Sequence, residues 1–166
     1  SAGIYDEARR GWLYPLDLNP NAKTAFKMNE WNHYRIECIG PDIKTYLNGV
    51  AVAHLIDDMT SEGFIGLQVH SIRDEAMAGR QIKWRNIRIK TANLEPSENE
   101  GIYVVNLIPN YLSDTEKEEG FKLLFDGQSA TGWKSAGGDN FPAQGWEVKE
   151  GVLSVFSSEG DRKSTR

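Results

Sequence analysis

One short stretch, DIKTYLNGVAVAHL (residues 42–55), restricts the fold more than any other part of the sequence. The dipeptide Asn48-Gly49 stands between two runs rich in apolar residues, 43–47 and 50–55. Asn-Gly in this setting is the strongest short-range signal for a β-hairpin, because both residues tolerate the positive φ angles of a tight turn. The sequence therefore predicts two antiparallel strands joined at residues 48–49.

Further segments alternate between apolar and polar residues, and this pattern predicts strands at residues 33–40, 63–72 and 80–90. In the first segment the alternation places Cys38 on the apolar side, so we expect a buried structural thiol. In the last, the parity shifts near Arg85-Asn86, which predicts a bulge or bend, and Trp84 is expected in the core. Short strands with turns at this spacing predict an all-β sandwich.

The stretch FIGLQVHSI places an amide and an imidazole close together. If it is a strand, Gln68 and His70 share one face, because successive side chains of a strand point to opposite sides. Ile65, Leu67 and Val69 share the other face. The face of Gln68 and His70 is then either a wet surface or the lining of a site.

The chain changes character after residue 90. TANLEPSENEG is polar and typical of a linker, and the apolar patch IYVVNLIP is expected to pack back on the sandwich as a brief strand. Ser113 stands three residues before Glu116, the spacing of a capping box, which predicts a short helix. A new β pattern follows, with a tight turn expected at Glu150-Gly151. Both ends of the sequence are interpreted as cuts through a longer protein.

Composition and charge limit the partners of the chain. Of its 166 residues 39% are hydrophobic and 26% charged, as in globular domains. The formal net charge of −5 argues against nucleic acid or an anionic membrane as the main partner. The sequence contains no signal peptide, no transmembrane run and no motif of zinc hydrolases, P-loop proteins or serine hydrolases. Its generous supply of aromatic residues suits sandwich cores and sugar-stacking platforms.

Several phrases of the first part stand in the order and at the spacing of a known family: EWNHYRI, LNGV, EGFIGLQVHS and IKWRNIRIK. They resemble the C-terminal half of the domain of unknown function 1080, also called the 3-keto-disaccharide hydrolase domain. GIYD and GWLYP upstream also fit that family. The later phrases FDGQSATGW and WEVKEGVL are similar to the N-terminal opening of the same family.

The resemblance implies an order of back half, linker and front half. We therefore predict the C-terminal half of a first β-sandwich domain at residues 1–91, a linker with a short helix at 92–118, and the start of a second, similar domain at 119–166. A permuted single domain is the alternative, but the strands that normally lie between SSEG and GIYD would then be missing. A tandem fragment would expose strand edges and tend to associate with another copy of itself.

The resemblance also implies a fold and an activity. The fold is a concanavalin-like or lectin-like jelly-roll β-sandwich, incomplete in this fragment, with a concave sheet that meets carbohydrate. The activity is that of a hydrolase or lyase acting on 3-keto-glycosides: a base removes the acidified proton at C2, the glycosidic oxygen leaves by β-elimination, and water then adds. A non-catalytic carbohydrate-binding module of the same fold is the alternative, because fold does not imply function.

That chemistry needs a base, an acid and a group that stabilises the enediolate. The catalytic candidates are His70, Glu37, Arg35 and Asp6, and the substrate-binding candidates are Gln68, Tyr5, Arg85, Trp12 and Tyr14. Arg35 would hold the developing oxyanion and Glu37 would act as base or metal ligand, whereas the plain alternative is an exposed ion pair. Trp12 and Tyr14, interpreted as members of a loop flanked by Gly and Pro, would stack on a sugar ring.

The sequence constrains the cofactor and the cellular compartment less than it constrains the fold. A divalent metal such as calcium is an alternative to cationic side chains as the stabiliser of the enediolate, and its identity stays unknown. The pair Asp57-Asp58 invites a calcium site, although paired aspartates usually mark a solvated turn. By the resemblance alone, the expected location is the bacterial periplasm or the outside of the cell.

Overall fold

The computed structural model describes residues 2–69, 71, 75 and 78–156, and these residues form a nearly all-β structure. Its strands are β1 (Ile4–Asp6), β2 (Gly11–Tyr14), β3 (Tyr34–Ile39), β4 (Asp42–Leu47), β5 (Val50–Ile56), β6 (Val105–Asn106), β7 (Trp146–Lys149) and β8 (Val152–Val155). In the described part, these strands form a hairpin β1-β2, a central sheet of order β3-β4-β5-β6 and a hairpin β7-β8. The predicted all-β class is confirmed, and the separate sheets are consistent with a β-sandwich. The jelly-roll topology stays a prediction.

Helical structure in the described residues is limited to short elements. Two 3-10 turns, Leu16–Leu18 and Pro20–Thr24, follow β2, and a single helical turn, α1, spans Asp114–Glu118. The predicted capping box is confirmed: the side chain of Ser113 accepts a hydrogen bond from the backbone N–H of Glu116, whose own side chain accepts from the backbone N–H of Ser113. Among the residues described, no helix is long and apolar enough to cross a membrane.

The hairpin predicted at Asn48-Gly49 joins β4 and β5, and both turn residues have positive φ angles, 53° and 82°. Asn48 does more than form the turn. Its side-chain amide donates to the carbonyl of Ala25, and its side-chain oxygen accepts from the N–H of His33, each over 2.8 Å. The hairpin therefore also fixes the loop that leads into β3. The second predicted tight turn, at Glu150-Gly151, joins β7 and β8.

A bulge interrupts the pairing of β4 with β5. Thr45 lies opposite Ala53, but the next residue of β4 lies opposite Ala51, so Val52 is the extra residue. The buried side chain of Asn19 donates hydrogen bonds to the carbonyls of Ala51 and Val52, at 2.9 and 3.1 Å. These bonds satisfy backbone acceptors that the irregular pairing leaves free, and thereby hold the bulge in place.

The predicted brief strand in IYVVNLIP is β6, which pairs in parallel with β5. The N–H of Leu107 donates to the carbonyl of Ile56 over 2.9 Å, and the hydroxyl of Tyr14 donates to the carbonyl of Tyr103 over 2.8 Å. Residues 103–107 thus complete the central sheet, although the sequence places them in the linker. The predicted division at 1–91, 92–118 and 119–166 stays a prediction.

The two faces of the central sheet differ in chemistry. One face packs on the 3-10 turns, where Leu47 and Val52 are fully buried against Ala22 and Ala25. Thr45 stands two residues before Leu47 and therefore points to the same, apolar side of the sheet. Because neighbouring residues of a strand point to opposite sides, Lys44 and Tyr46 belong to the other face. The apolar core therefore lies on one side of the sheet and leaves the other side to polar groups.

The strands predicted at 63–72 and 80–90 are not formed among the described residues of these segments. Phe64 and Ile65 are 95% and 76% exposed, and Trp84, expected in the core, is 42% exposed. Alternation states which side chains share a face, but a strand also needs a neighbour that completes its hydrogen-bond ladder. Asn86 has a positive φ, 56°, at the place where the sequence predicts a bulge or bend, and the bulge or bend itself stays a prediction.

Cys38 is exposed, so the prediction of a buried thiol is wrong. It lies on the outer strand β3, where Ile36 on the same face is 65% exposed. The apolar core covers the inner strands β4 and β5 instead. Alternation along β3 identified the face correctly but could not show how far the core extends. The predicted association of the chain with another copy of itself stays a prediction.

Candidate functional site

Five polar or amphipathic side chains share the uncovered face of the central sheet. Residues directly opposite each other in an antiparallel pair lie on the same face. Glu37 of β3 lies opposite Lys44 of β4, which lies opposite His54 of β5, and Arg35 lies opposite Tyr46. We call these five residues the polar face.

Three members of the polar face are almost inaccessible: Lys44, Tyr46 and His54 are 7%, 5% and 4% exposed. A buried ammonium group is costly unless it is hydrogen-bonded, and Nζ of Lys44 donates to the carbonyl of Ser97 over 2.6 Å. Nε2 of His54 lies 3.2 Å from a carboxylate oxygen of Asp42. Lys44 and His54 are thus each placed by a specific partner.

Glu37 is the carboxylate of the polar face. It forms an ion pair with Arg35 and accepts hydrogen bonds from the N–H and the hydroxyl of Ser97, at 3.2 and 2.7 Å. Burial by itself raises the pKa of Glu37, but the two bonds from Ser97 and the charge of Arg35 outweigh it and hold that pKa below its ordinary value. At neutral pH Glu37 is therefore an anion that can accept hydrogen bonds or a proton.

Tyr46 connects the charged groups to a small cavity. The guanidinium of Arg35 lies 4.1 Å from the centre of its ring, a cation–π distance. Its hydroxyl is buried and has no hydrogen-bond partner among the described residues, and its side chain lines the cavity together with Lys44, His54 and Ile102. A buried hydroxyl without a partner loses its hydrogen bonds to water and gains none in return. The cavity has room for about one water molecule, and a hydrogen bond from that water to the hydroxyl would be favoured.

Asp6, a predicted catalytic residue, belongs to a different cluster. One of its oxygens accepts from Nε of Arg9 over 2.8 Å, and the other from Nε of Arg10 over 2.7 Å. Arg10 also donates two hydrogen bonds to Asp57, at 3.1 and 2.7 Å. Both carboxylates are thus held by arginines, and the cluster ties the β1-β2 turn to the end of β5.

The same cluster argues against calcium at Asp57-Asp58. Arg10 is hydrogen-bonded to both oxygens of Asp57, and its charge would repel a cation there. Within the described residues, no group of three or more His, Cys, Asp or Glu side chains could hold a metal ion. The described residues therefore do not fit a divalent metal such as calcium.

The arginine cluster predicts a dependence of stability on acid pH. Hydrogen bonds from Arg10 hold the pKa of Asp6 and of Asp57 below their ordinary value. Carboxylates with a lowered pKa in the folded state stabilise it above about pH 4, and this contribution is lost as the pH falls through the folded-state pKa. We expect the urea concentration at the unfolding midpoint to decrease as the pH is lowered below about 4. In Asp57→Asn this decrease with pH should be less steep.

The neighbouring substitution Asp58→Asn is the matched control for this titration, because Asp58 is exposed and lies next to the cluster. It should leave the slope of the urea midpoint against pH unchanged. Equal slopes for the wild type and Asp57→Asn would show that the cluster does not cause the acid sensitivity.

The aromatic candidates separate into exposed and buried residues. Tyr5 and Trp12 are cross-strand neighbours on the β1-β2 hairpin; their ring centres are 5.1 Å apart, and they are 50% and 60% exposed. Tyr14 is fully buried, so the expectation that it stacks on a sugar is wrong in this structure. Trp12 and Tyr14 also lie on strand β2 and not in a loop. Only the exposed pair of these three offers rings to a ligand.

The remaining candidates do not join the polar face. Gln68 is exposed in a segment without a strand, and the guanidinium of Arg85 lies 3.9 Å from the ring centre of Trp31. His70 lies outside the described residues, and its role stays a prediction. Of the predicted catalytic residues, the structure brings Arg35 and Glu37 together.

Sequence reasoning missed the inner half of the polar face. Lys44, Tyr46 and His54 are not among the candidates that the sequence predicts. A signal was present, because Asp42, Lys44 and Tyr46 occupy alternate positions of one strand and place polar groups on a single face. Ser97 carried no such signal, since it approaches the face from a segment about 60 residues further along the chain.

Residues 1–90 match the model of a family described as the 3-keto-alpha-glucoside-1,2-lyase-like domain. The chain belongs to this family. All five residues of the polar face lie within the part that matches the 3-keto-alpha-glucoside-1,2-lyase-like domain, and Ser97 lies beyond it. Membership supports a carbohydrate-related function, which fits the binding of carbohydrate. A search of curated proteins found no match to the chain.

The 3-keto-alpha-glucoside-1,2-lyase-like match ends before the phrases that resemble the family's opening, FDGQSATGW and WEVKEGVL. The predicted start of a second domain at 119–166 therefore stays a prediction.

Proposed function

We propose that the chain is a carbohydrate-active domain whose polar face cleaves 3-keto-glycosides. The observation that carries the proposal is that three charged side chains share one face of the sheet inside the family-matched range. The carboxylate of Glu37 forms an ion pair with Arg35 and lies opposite Lys44 on the neighbouring strand. β-Elimination from a 3-keto sugar needs a base and a means of stabilising negative charge on oxygen. The polar face supplies both from rigid strands.

In the proposed reaction each group has one task. Glu37 takes the proton from C2, and the electron pair of the C2–H bond forms the enediolate with the 3-keto group. Arg35 and Lys44 stabilise the negative oxygen. The C1–O bond then breaks, C1 and C2 become doubly bonded, and the leaving oxygen receives a proton from a neighbouring acid, for which Tyr46 and His54 are the nearest groups of suitable chemistry.

Hydration completes the proposed hydrolysis. Water adds across the C1–C2 double bond: its hydroxyl goes to C1, protonated Glu37 returns its proton to C2, and the remaining proton of the water restores the acid that protonated the leaving oxygen. The sum is cleavage of the glycosidic bond with consumption of one water. The predicted role of His70 as an acid or base is compatible with this sequence and needs its own test. We further propose, from the family resemblance alone, a periplasmic or extracellular location.

The test is incubation of the chain with a 3-keto-disaccharide, followed by measurement of free monosaccharide and of the unsaturated 3-keto sugar. The parent disaccharide, without the keto group, is the matched control, because its C2 proton is not acidified. We expect release only from the 3-keto substrate. Equal release from both, or no release at all, would contradict the proposed elimination.

A non-catalytic carbohydrate-binding module is a second candidate. It is favoured by the exposed Tyr5–Trp12 pair, whose rings suit stacking on a sugar, and by the lowered pKa of Glu37, which weakens this group as a base. Calorimetric titration with the same disaccharides distinguishes the two candidates. Binding without turnover of the 3-keto substrate supports the module, whereas turnover supports the enzyme.

A further inference from the structure

We propose that residues 97–102 form a strap over the polar face, and that the Ser97 end of this strap must leave the face before a sugar can bind. The inference rests on the proposed function, since it assigns a means of regulation to the same site. The strap lies outside the family-matched range 1–90, so it is an addition to the matched part of the chain.

The first support is the set of contacts made by Ser97. Its N–H and hydroxyl both donate to Glu37, its hydroxyl also accepts from Arg35, and its carbonyl accepts from the buried ammonium of Lys44. One residue therefore engages every charged group to which the proposed reaction assigns a task. While Ser97 is in place, a substrate cannot reach the carboxylate of Glu37 with its own C2 proton.

The second support is chemical similarity between Ser97 and a sugar. A sugar hydroxyl donates to carboxylates and accepts from guanidinium groups, as the hydroxyl of Ser97 does with Glu37 and Arg35. Further along the strap, Glu100 and Ile102 line the same small cavity as Lys44, Tyr46 and His54. The strap thus occupies the space and the hydrogen-bonding positions that a bound sugar would need.

The third support is the way in which the strap is anchored. Its C-terminal end runs into Tyr103, whose carbonyl accepts from Tyr14, and into β6, which pairs with β5. At its other end, the preceding residues 91–96 are all exposed. The strap is therefore fixed at one end by a strand ladder and held at the other by Ser97, so it can open without loss of the sheet.

Gly101 provides a position at which the backbone can turn. Its φ is 67°, in the left-handed region, and its N–H donates to the side chain of Asn99 over 3.1 Å. The side chain of Asn99 in turn donates to Thr115 of α1 over 3.1 Å. Opening at Ser97 would leave this middle part of the strap attached to the helical turn.

The expected consequence is a reduced apparent affinity for sugar. When only a fraction of the molecules is open, the apparent dissociation constant is the intrinsic one divided by that fraction. Ser97→Ala removes the hydroxyl that bonds to Glu37 and Arg35, and a hydrogen bond to a charged group is strong enough to shift such an equilibrium by about tenfold. We expect KM for the 3-keto-disaccharide to fall about fivefold to tenfold with little change in kcat.

Two matched variants accompany Ser97→Ala. Ser97→Thr keeps the hydroxyl and should retain the KM of the wild type, and Ser61→Ala removes an exposed serine hydroxyl elsewhere and should also leave KM unchanged. Hydrogen exchange measured on the same proteins reports the strap directly. The backbone N–H of residue 97 should exchange faster in Ser97→Ala than in the wild type. In the wild type it should exchange faster with the 3-keto-disaccharide present than without it.

The outcomes separate the strap from the proposed function. Turnover with the same KM in the wild type and Ser97→Ala would overturn the strap and leave the proposed function standing. So would a Ser97 amide that stays protected while sugar is bound. Absence of both binding and turnover in every variant would overturn the proposed function, and with it the regulation of that site.

Discussion

Glu37→Gln is expected to lower kcat for the 3-keto-disaccharide by about 100-fold or more. The amide has nearly the same shape as the carboxylate, but its single oxygen can accept only one of the two hydrogen bonds from Ser97, and it cannot take up the C2 proton. Steady-state kinetics of released sugar measures the loss. Because the substitution removes a group that acts in the transition state, the effect should fall on kcat more than on KM.

Glu147→Gln is the matched control for this substitution. Glu147 lies exposed on strand β7, outside the family-matched range, so its replacement should leave kcat and KM unchanged. Circular dichroism and urea unfolding of Glu37→Gln show whether the fold is retained. A folded Glu37→Gln protein with wild-type kcat would remove Glu37 from the reaction and leave His70 as the leading candidate for the base.

Leu47→Ala is expected to lower the free energy of unfolding by about 2–5 kcal/mol. Leu47 is fully buried and packs with Val52 against the 3-10 turns, so its truncation removes apolar contacts and leaves a cavity. Equilibrium unfolding in urea measures the change. The loss should be large because the core on this side of the sheet contains few large side chains, so its neighbours cannot move in and close the cavity.

Ile36→Ala is the control for Leu47→Ala. Both side chains are aliphatic and lie on the central sheet, but Ile36 is 65% exposed. We expect its truncation to change the free energy of unfolding by no more than about 0.5 kcal/mol. Similar losses in the two variants would mean that the apolar face is covered as far as β3, contrary to the structure.

The features that sequence reasoning predicted correctly are those decided by residues close together in the chain. The Asn48-Gly49 turn, the Glu150-Gly151 turn and the capping box of Ser113 with Glu116 each depend on backbone angles and hydrogen bonds within about four residues. Such interactions form whatever the rest of the chain does. Alternation likewise assigned Arg35 and Glu37 to a common face, because that follows from strand geometry alone.

The failures all concern partners that are distant in sequence. Segments 63–72 and 80–90 alternate as strands do, yet their described residues have no ladder, because pairing depends on what lies beside them. Cys38 follows the apolar pattern of β3, but the core stops at β4 and β5. Tyr14 is predicted to lie in a ligand-facing loop, but it is buried, and its hydroxyl donates to the carbonyl of Tyr103, 89 residues away in the chain.

By itself, the sequence determined the all-β class, the hairpins at Asn48-Gly49 and Glu150-Gly151, the capped helical turn and membership of a carbohydrate-related family, since each is encoded in local pattern. The tertiary structure alone decided that Lys44, Tyr46 and His54 join Glu37 and Arg35 on one face, and that Ser97 covers it. The physical reason is that register and long-range contact set which side chains meet. Local propensity restricts each segment but does not choose its neighbours.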